Sequence, residues 1–142
     1  AWITSRSMEP TLHKGDLVLI NHAAFRNRLP APGEIVALYT LDRQQLWVKR
    51  AVAGPGDVVL TTPTALYVNG RKVEEPYIRP DARPDYRQYP GRVRVPDRHV
   101  WVLGDNRGNS DDSRGWGPLR HDYVQGKVVS IVWPRARQRR LR

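Results

Sequence analysis

Cysteine is absent from the 142 residues, so no disulfide can form and a thiolate-held metal is excluded. That absence is compatible with either redox compartment. Long apolar runs are missing too; none approaches the ~18 residues a membrane helix needs. Helical periodicity fails beyond about two turns in every window. There is no H-E-x-x-H metal spacing, no G-x-S-x-G elbow and no glycine-rich phosphate loop. The histidines, His13, His22, His99 and His121, stand in none of these contexts, which disfavours a histidine base. Neither a metal nor a cofactor is expected. The chain opens at Ala1-Trp2-Ile3-Thr4 without an initiator Met, which reads as a cut piece with something upstream missing.

What is present points to β structure. Twelve Pro and eleven Gly punctuate the chain and favour short strands. Runs rich in Val, Ile, Leu and aromatics, bounded by Gly, Pro or Asp, predict strands at 16–21, 34–39, 46–53, 58–60, 66–68, 99–103 and 126–133. Asn69-Gly70 between two such runs predicts a two-residue hairpin. The fold class is mainly β, antiparallel, with little helix. One domain over 1–133 is expected, with 58–103 as a short hairpin and loop insertion. Residues 79–98 hold four prolines and little apolar content, and predict a mobile loop or a functional rim. From Pro134 onward almost nothing is core-forming, so 134–142 reads as a basic tail.

Net charge is +10, and half of it sits in Arg135, Arg137, Arg139, Arg140 and Arg142. A basic chain suggests an anionic partner, nucleic acid or lipid headgroups, or simply a solvated surface.

The most informative stretch is 104–118, GDNRGNSDDSRGWGP. It has no apolar periodicity, yet it concentrates glycines, serines and charged residues. A loop this expensive to order is expected to serve a site. Two other segments bear on it. Ser7 lies on an approach stiffened by Pro10, where its Oγ can be presented in a fixed direction; a polar residue at a strand edge is the alternative. Lys49 shares a strand face with Trp47, Ala51 and Ala53. Burial there lowers an amine's pKa and leaves it able to take a proton from a hydroxyl; a lysine snorkelling to water is the alternative. Arg50 points to a face of Leu46, Val48 and Val52, where a guanidinium needs a carboxylate, with Asp105 a candidate.

Together these segments resemble the type I signal peptidases, membrane-anchored Ser/Lys endopeptidases that remove signal peptides from exported proteins. Residues 5–12, SRSMEPTL, look like the S-x-S-M-x-P-T-L nucleophile box. Gly33-Glu34-Ile35-Val36 is similar to a G-D-[IV]-V strand, with Glu for Asp. Residues 49–57, KRAVAGPGD, resemble the general-base box, and 104–117 resemble G-D-N-R-x-N-S-x-D-S-R-x-W-G nearly throughout. The resemblance implies Ser7 as nucleophile, Lys49 as general base, and the Ser5 hydroxyl with the Ser7 N–H as oxyanion hole. It implies that Ser110 orients Lys49, that Asp112 and Arg114 brace the loop, and that Asp105 pairs with Arg50. It further implies signal peptides of exported preproteins as substrates, cut after small residues of Ala-x-Ala type. The partners expected are those peptides and a membrane lipid surface, not nucleic acid, with the catalytic domain on the outer face of the cytoplasmic membrane. Trp2, Ile3, Met8 and Trp116 are read either as an apolar rim or as ordinary core.

Two rival readings fit the residues less well. Self-cleaving repressors share a Ser/Lys dyad and cut an Ala-Gly bond, but Ala53-Gly54 is followed by Pro55 and reads as a turn. A basic binding module leaves Ser7, Lys49 and Ser110 unexplained.

Overall fold

The computed structural model describes residues 1–85 and 87–142. Seven strands form one antiparallel sheet in the order β1 (Leu17–Asn21), β10 (Val124–Trp133), β2 (Ile35–Tyr39), β3 (Leu46–Ala53), β8 (His99–Leu103) and β9 (Leu119–Arg120), with β11 (Arg139–Arg140) also on β10. A second sheet runs β6 (Arg71–Lys72), β5 (Leu66–Val68), β4 (Val58–Thr61) and β7 (Arg92–Arg94). The helical segments are a four-residue α1 (Ser113–Trp116) and two 3-10 turns.

β2 explains the layering. Its continuous apolar run is buried on both faces, as expected for a strand inside a sheet covered on both sides. Ile35 and Ala37 pack with Ile3, Met8, Leu12, Val18, Val128 and Ile131, while Val36 and Leu38 pack with Phe25, Ala51, Val100, Val102 and Leu119. A third cluster of Val52, Ala53, Val59, Leu66, Val95, Trp101 and Leu103 joins the two sheets. The Asn69-Gly70 hairpin forms as expected, both residues having positive φ as a two-residue turn of this kind requires.

Three expectations change and one open alternative is decided. A register shift between Ala51 and Ala53 breaks the alternation of β3, so Ala53 joins Val52 in the third cluster rather than sharing the face of Lys49. The stretch 79–98, whose position 86 lies outside the described residues, contains β7; it pairs with β4 and sends Val95 into the core. The Arg-Val-Arg-Val alternation of 92–95 carries that signal in the sequence. The basic C-terminal residues pack against the domain: β11 pairs with β10, and Leu141 rests on the first cluster. Finally, Ile3 and Met8 are core residues, whereas Trp2 is 57% exposed.

Candidate active site

The segment carrying Ser7 is a compact turn. Leu12 N–H donates to the Met8 carbonyl at 2.9 Å and Glu9 N–H to that of Arg6 at 3.1 Å, while Met8 and Leu12 plug the first core cluster. This apolar anchoring leaves Ser7 at the lip of a cleft. The Ser5 and Ser7 hydroxyls are 3.2 Å apart, and the Ser7 N–H faces Ser5 Oγ at 3.5 Å. The Ser7 N–H and the Ser5 hydroxyl thus lie next to each other beside Ser7 Oγ.

Lys49 comes from β3. Its cross-strand partner is Val36, and its Nζ lies 5.3 Å from the centre of the Trp47 ring. Only 3% of the residue is exposed. Burial pushes the amine down to about 8, against the pull of the Asp112 and Asp111 carboxylates. Nζ donates to Ser110 Oγ at 3.0 Å. Ser7, Lys49 and Ser110 therefore line one cleft of about 350 Å³, together with Ile3, Met8 and Trp47. Among the described residues no hydrogen bond joins Ser7 Oγ directly to Lys49 Nζ. Among the described residues, the Leu46–Lys49 half of β3 has no strand partner on its open side, because β8 pairs only from Arg50 onward.

The 104–118 loop is fixed by buried charges. Asp112 caps α1 through the Arg114 N–H, accepts from the Gly104 N–H at 3.0 Å, and takes Arg114 Nε and Nη2 on its two oxygens. Burial alone would raise its pKa; Arg114, the Gly104 N–H and the Ser110 hydroxyl together outweigh this and hold it down. Arg114 also reaches the Arg107 carbonyl at 2.9 Å, and Arg87 reaches the Ser110 carbonyl at 2.8 Å. Arg107 pairs with Glu75, and Arg87 with Asp85. Asp105 accepts from Arg50 Nε and Nη2 at 2.8 and 2.7 Å and from Thr11 Oγ1 at 2.6 Å. Arg50 additionally stacks on Tyr77 and donates to the Gly33 carbonyl. One carboxylate thereby joins the serine segment, the lysine strand and the loop.

The structure brings together every residue the sequence singles out: Ser5, Ser7, Lys49 and Ser110 in the cleft, Arg50 with Asp105, and Asp112 with Arg114. Three supporting residues escaped sequence reasoning. A Cβ on Gly104 would lie 2.2 Å from Ser110 Oγ and 2.6 Å from the Ser7 carbonyl oxygen, so only glycine fits between the serine segment and the lysine's partner. The Asn106 N–H donates to that same Ser7 carbonyl at 2.9 Å, and its side chain to the Arg6 carbonyl. Thr11 links to Asp105. The contacts of Gly104 and Asn106 with Ser7, and of Thr11 with Asp105, join positions about a hundred residues apart, which spacing along the chain does not reveal. No group of His, Asp and Glu among the described residues is arranged to hold a metal. Ala53 is buried, and Gly54 N–H bonds the Asp57 carboxylate in a tight turn, a poor setting for a scissile bond.

Comparison with known proteins completes the picture. The family described as signal peptidase, peptidase S26, matches residues 1–133. The chain is 40% identical over 139 residues to a probable signal peptidase I-2 of Synechocystis sp., an alignment covering 94% of this chain and 62% of that protein. It is 35% identical over 142 residues to a signal peptidase I of Bacillus caldolyticus, covering 93% of this chain and 78% of that protein. A crystal structure of a signal peptidase I from Enterococcus faecalis superposes with a TM-score of 0.56 at 27% identity, over 71% of this chain and 97% of that one.

Proposed function

The chain belongs to the signal peptidase family, peptidase S26, and from that premise we propose that it is a serine endopeptidase removing signal peptides from exported preproteins after small residues of Ala-x-Ala type. The observation that carries the reading is Lys49: an almost fully buried amine, pushed down to about 8, held by Ser110 in the cleft that Ser7 borders.

In this reading the neutral Lys49 amine takes the proton from Ser7 Oγ as that oxygen attacks the scissile carbonyl. The negative charge collecting on the carbonyl oxygen meets the Ser7 N–H and the Ser5 hydroxyl. Such donors are each worth about 3–4 kcal/mol at a transition state. The Lys49 ammonium then gives its proton to the departing amine, leaving an acyl-serine and a neutral lysine. A water, deprotonated by the same amine, releases the acid and regenerates Ser7. The missing Ser7–Lys49 hydrogen bond forms as substrate closes the cleft, since catalytic hydrogen bonds tighten in the bound complex. The substrate lies extended along the unpaired edge of Leu46–Lys49, adding a strand to β3. The cleft walls of Ile3, Met8 and Val48 suit small apolar side chains.

The partners follow from the same surface. Trp2 lines one end of the cleft and makes an edge-to-face pair with Trp133 at 5.7 Å; both are more than half exposed, as is Leu19 on the neighbouring strand. Indoles at a surface favour the lipid–water interface. The domain would meet its substrates there, on the outer face of the cytoplasmic membrane where exported chains emerge. No helix among the described residues is long and apolar enough to cross a membrane.

The test is cleavage of a peptide carrying an Ala-x-Ala export site, in detergent or lipid, followed by mass spectrometry. The parent protein yields a single cut after the final Ala. Ser7→Ala and Lys49→Met yield none. A cut elsewhere, or cleavage surviving either substitution, rejects the reading.

A further inference from the structure

The last nine residues fall outside the 1–133 match to the family, yet they are closely engaged with the segment that carries Ser7. Asp16 ends that segment and is 1% exposed. Its two oxygens accept from Arg137 Nε and Nη2, both at 2.9 Å, and Oδ2 also takes the His13 N–H at 2.8 Å. The Thr11 carbonyl accepts from Arg139 Nη2 at 2.7 Å and from Arg137 Nη2 at 3.5 Å. The two guanidiniums hang from a strap fastened elsewhere: β11 pairs with β10, the Leu141 N–H donates to the Val129 carbonyl, and Leu141 packs on the cluster holding Met8 and Leu12. Thr11 is therefore gripped from both sides, its carbonyl by the strap and its hydroxyl by Asp105. A rigid bidentate ion pair at a buried carboxylate fixes position far better than a flexible one, and arginine's planar fork is suited to it.

We propose that Arg137 and Arg139 are positioning residues for the nucleophile, the C-terminal strap fixing the 11–16 turn and thereby the place of Ser7 over Lys49. The proposal rests on the serine peptidase reading for its kinetic consequence but not for its structural one. Arg137→Met with Arg139→Met leaves the Thr11 carbonyl without its clamp and Asp16 buried without a cation. Small misplacements of a reacting group cost catalysis steeply, so kcat on the Ala-x-Ala peptide falls about tenfold or more in the double variant. KM stays within about twofold, because neither guanidinium lines the cleft. The pH midpoint of kcat does not move, because Lys49 and its neighbours are untouched. Arg137→Lys restores part of the loss, keeping the charge without the fork.

Hydrogen exchange supplies a readout independent of cleavage. In the double variant the Glu9, Leu12 and Asn106 amides, which tie down the serine turn, exchange faster, while those of β2 and β3 keep their rates. A lowered melting temperature with unchanged kcat per folded molecule, or unchanged exchange at Glu9 and Leu12, overturns the proposal. If the parent protein cuts no export-site peptide, the functional reading fails, and the exchange rates still decide whether the strap positions the turn.

Discussion

The lowered pKa of Lys49 predicts two pH dependences, one of activity and one of stability. In the proposed mechanism activity needs the neutral amine, so kcat/KM is expected to rise with pH through about 8 and then level. Stability follows from the difference between the folded and unfolded protein. The ordinary amine value is 10.5 and the folded one is about 8, so between these the unfolded chain binds more protons, and stability increases with pH. Below about 8 burial of the ammonium costs about 3 kcal/mol, and that penalty disappears as pH climbs toward 10.5. Lys49→Met removes the penalty and fills the site with apolar atoms. It is therefore as stable as the parent or more so at pH 7, and it lacks the gain in stability that the Lys49 amine gives the parent across that window. Urea denaturation at pH 7 and pH 10 measures both; a clear drop in stability of the variant at pH 7 contradicts the buried amine. At this scale the site was legible in the sequence wherever chemistry and motif coincide: a serine, a lysine on a tryptophan-lined strand face, a second serine in a costly loop. Gly104, Asn106 and Thr11 were not, because their duties are contacts with distant backbone, and nothing in their own neighbourhoods announces the partner.

Elements are joined at this site through buried ion pairs rather than through apolar packing alone. Asp105 is the clearest case, since Arg50 on β3 and Thr11 of the serine turn both depend on it. Asp105→Ala strands a buried guanidinium, which costs about 3–5 kcal/mol. Adding Arg50→Met recovers part of that, because the uncompensated charge is gone. Chemical denaturation of the single and double variants checks the order; a double variant no better than Asp105→Ala excludes the stranded charge as the cause. The long strands were readable because alternating or continuous apolar residues fix them locally: β3 and β8 lie where their residues predict. The strands β9 and β11 are two residues long, and they exist through partners supplied by the rest of the fold. The arginine-rich end misleads for the same reason. Its residues look like a solvated tail until Asp16 and β10 are placed beside them.

At the scale of the molecule, the proposed membrane contact combines charge and exposed indoles. A net charge of +10 is expected to draw the domain to anionic lipid, with the Trp2–Trp133 pair as an apolar foothold next to the cleft. Binding to vesicles containing phosphatidylglycerol, followed by tryptophan fluorescence and sedimentation, is therefore expected to weaken as salt is raised. Trp2→Ser with Trp133→Ser lowers it further at every salt concentration. Binding that ignores both indoles means that charge alone brings the domain to the bilayer. The arrangement of the two sheets has a separate consequence. β3 and β8 are ladder neighbours, yet the chain between them builds the whole β4–β7 sheet and then returns. Such a detour offers a natural docking bay for grafted sequence: its outer hairpin, around Asn69-Gly70, tolerates enlargement or exchange. The inner margin does not, because Glu75, Asp85 and Arg87 are the outriggers that steady the loop bearing Ser110. A chimera that swaps the hairpin tip keeps its catalytic geometry, whereas one trimmed back to a short β3–β8 connection loses it.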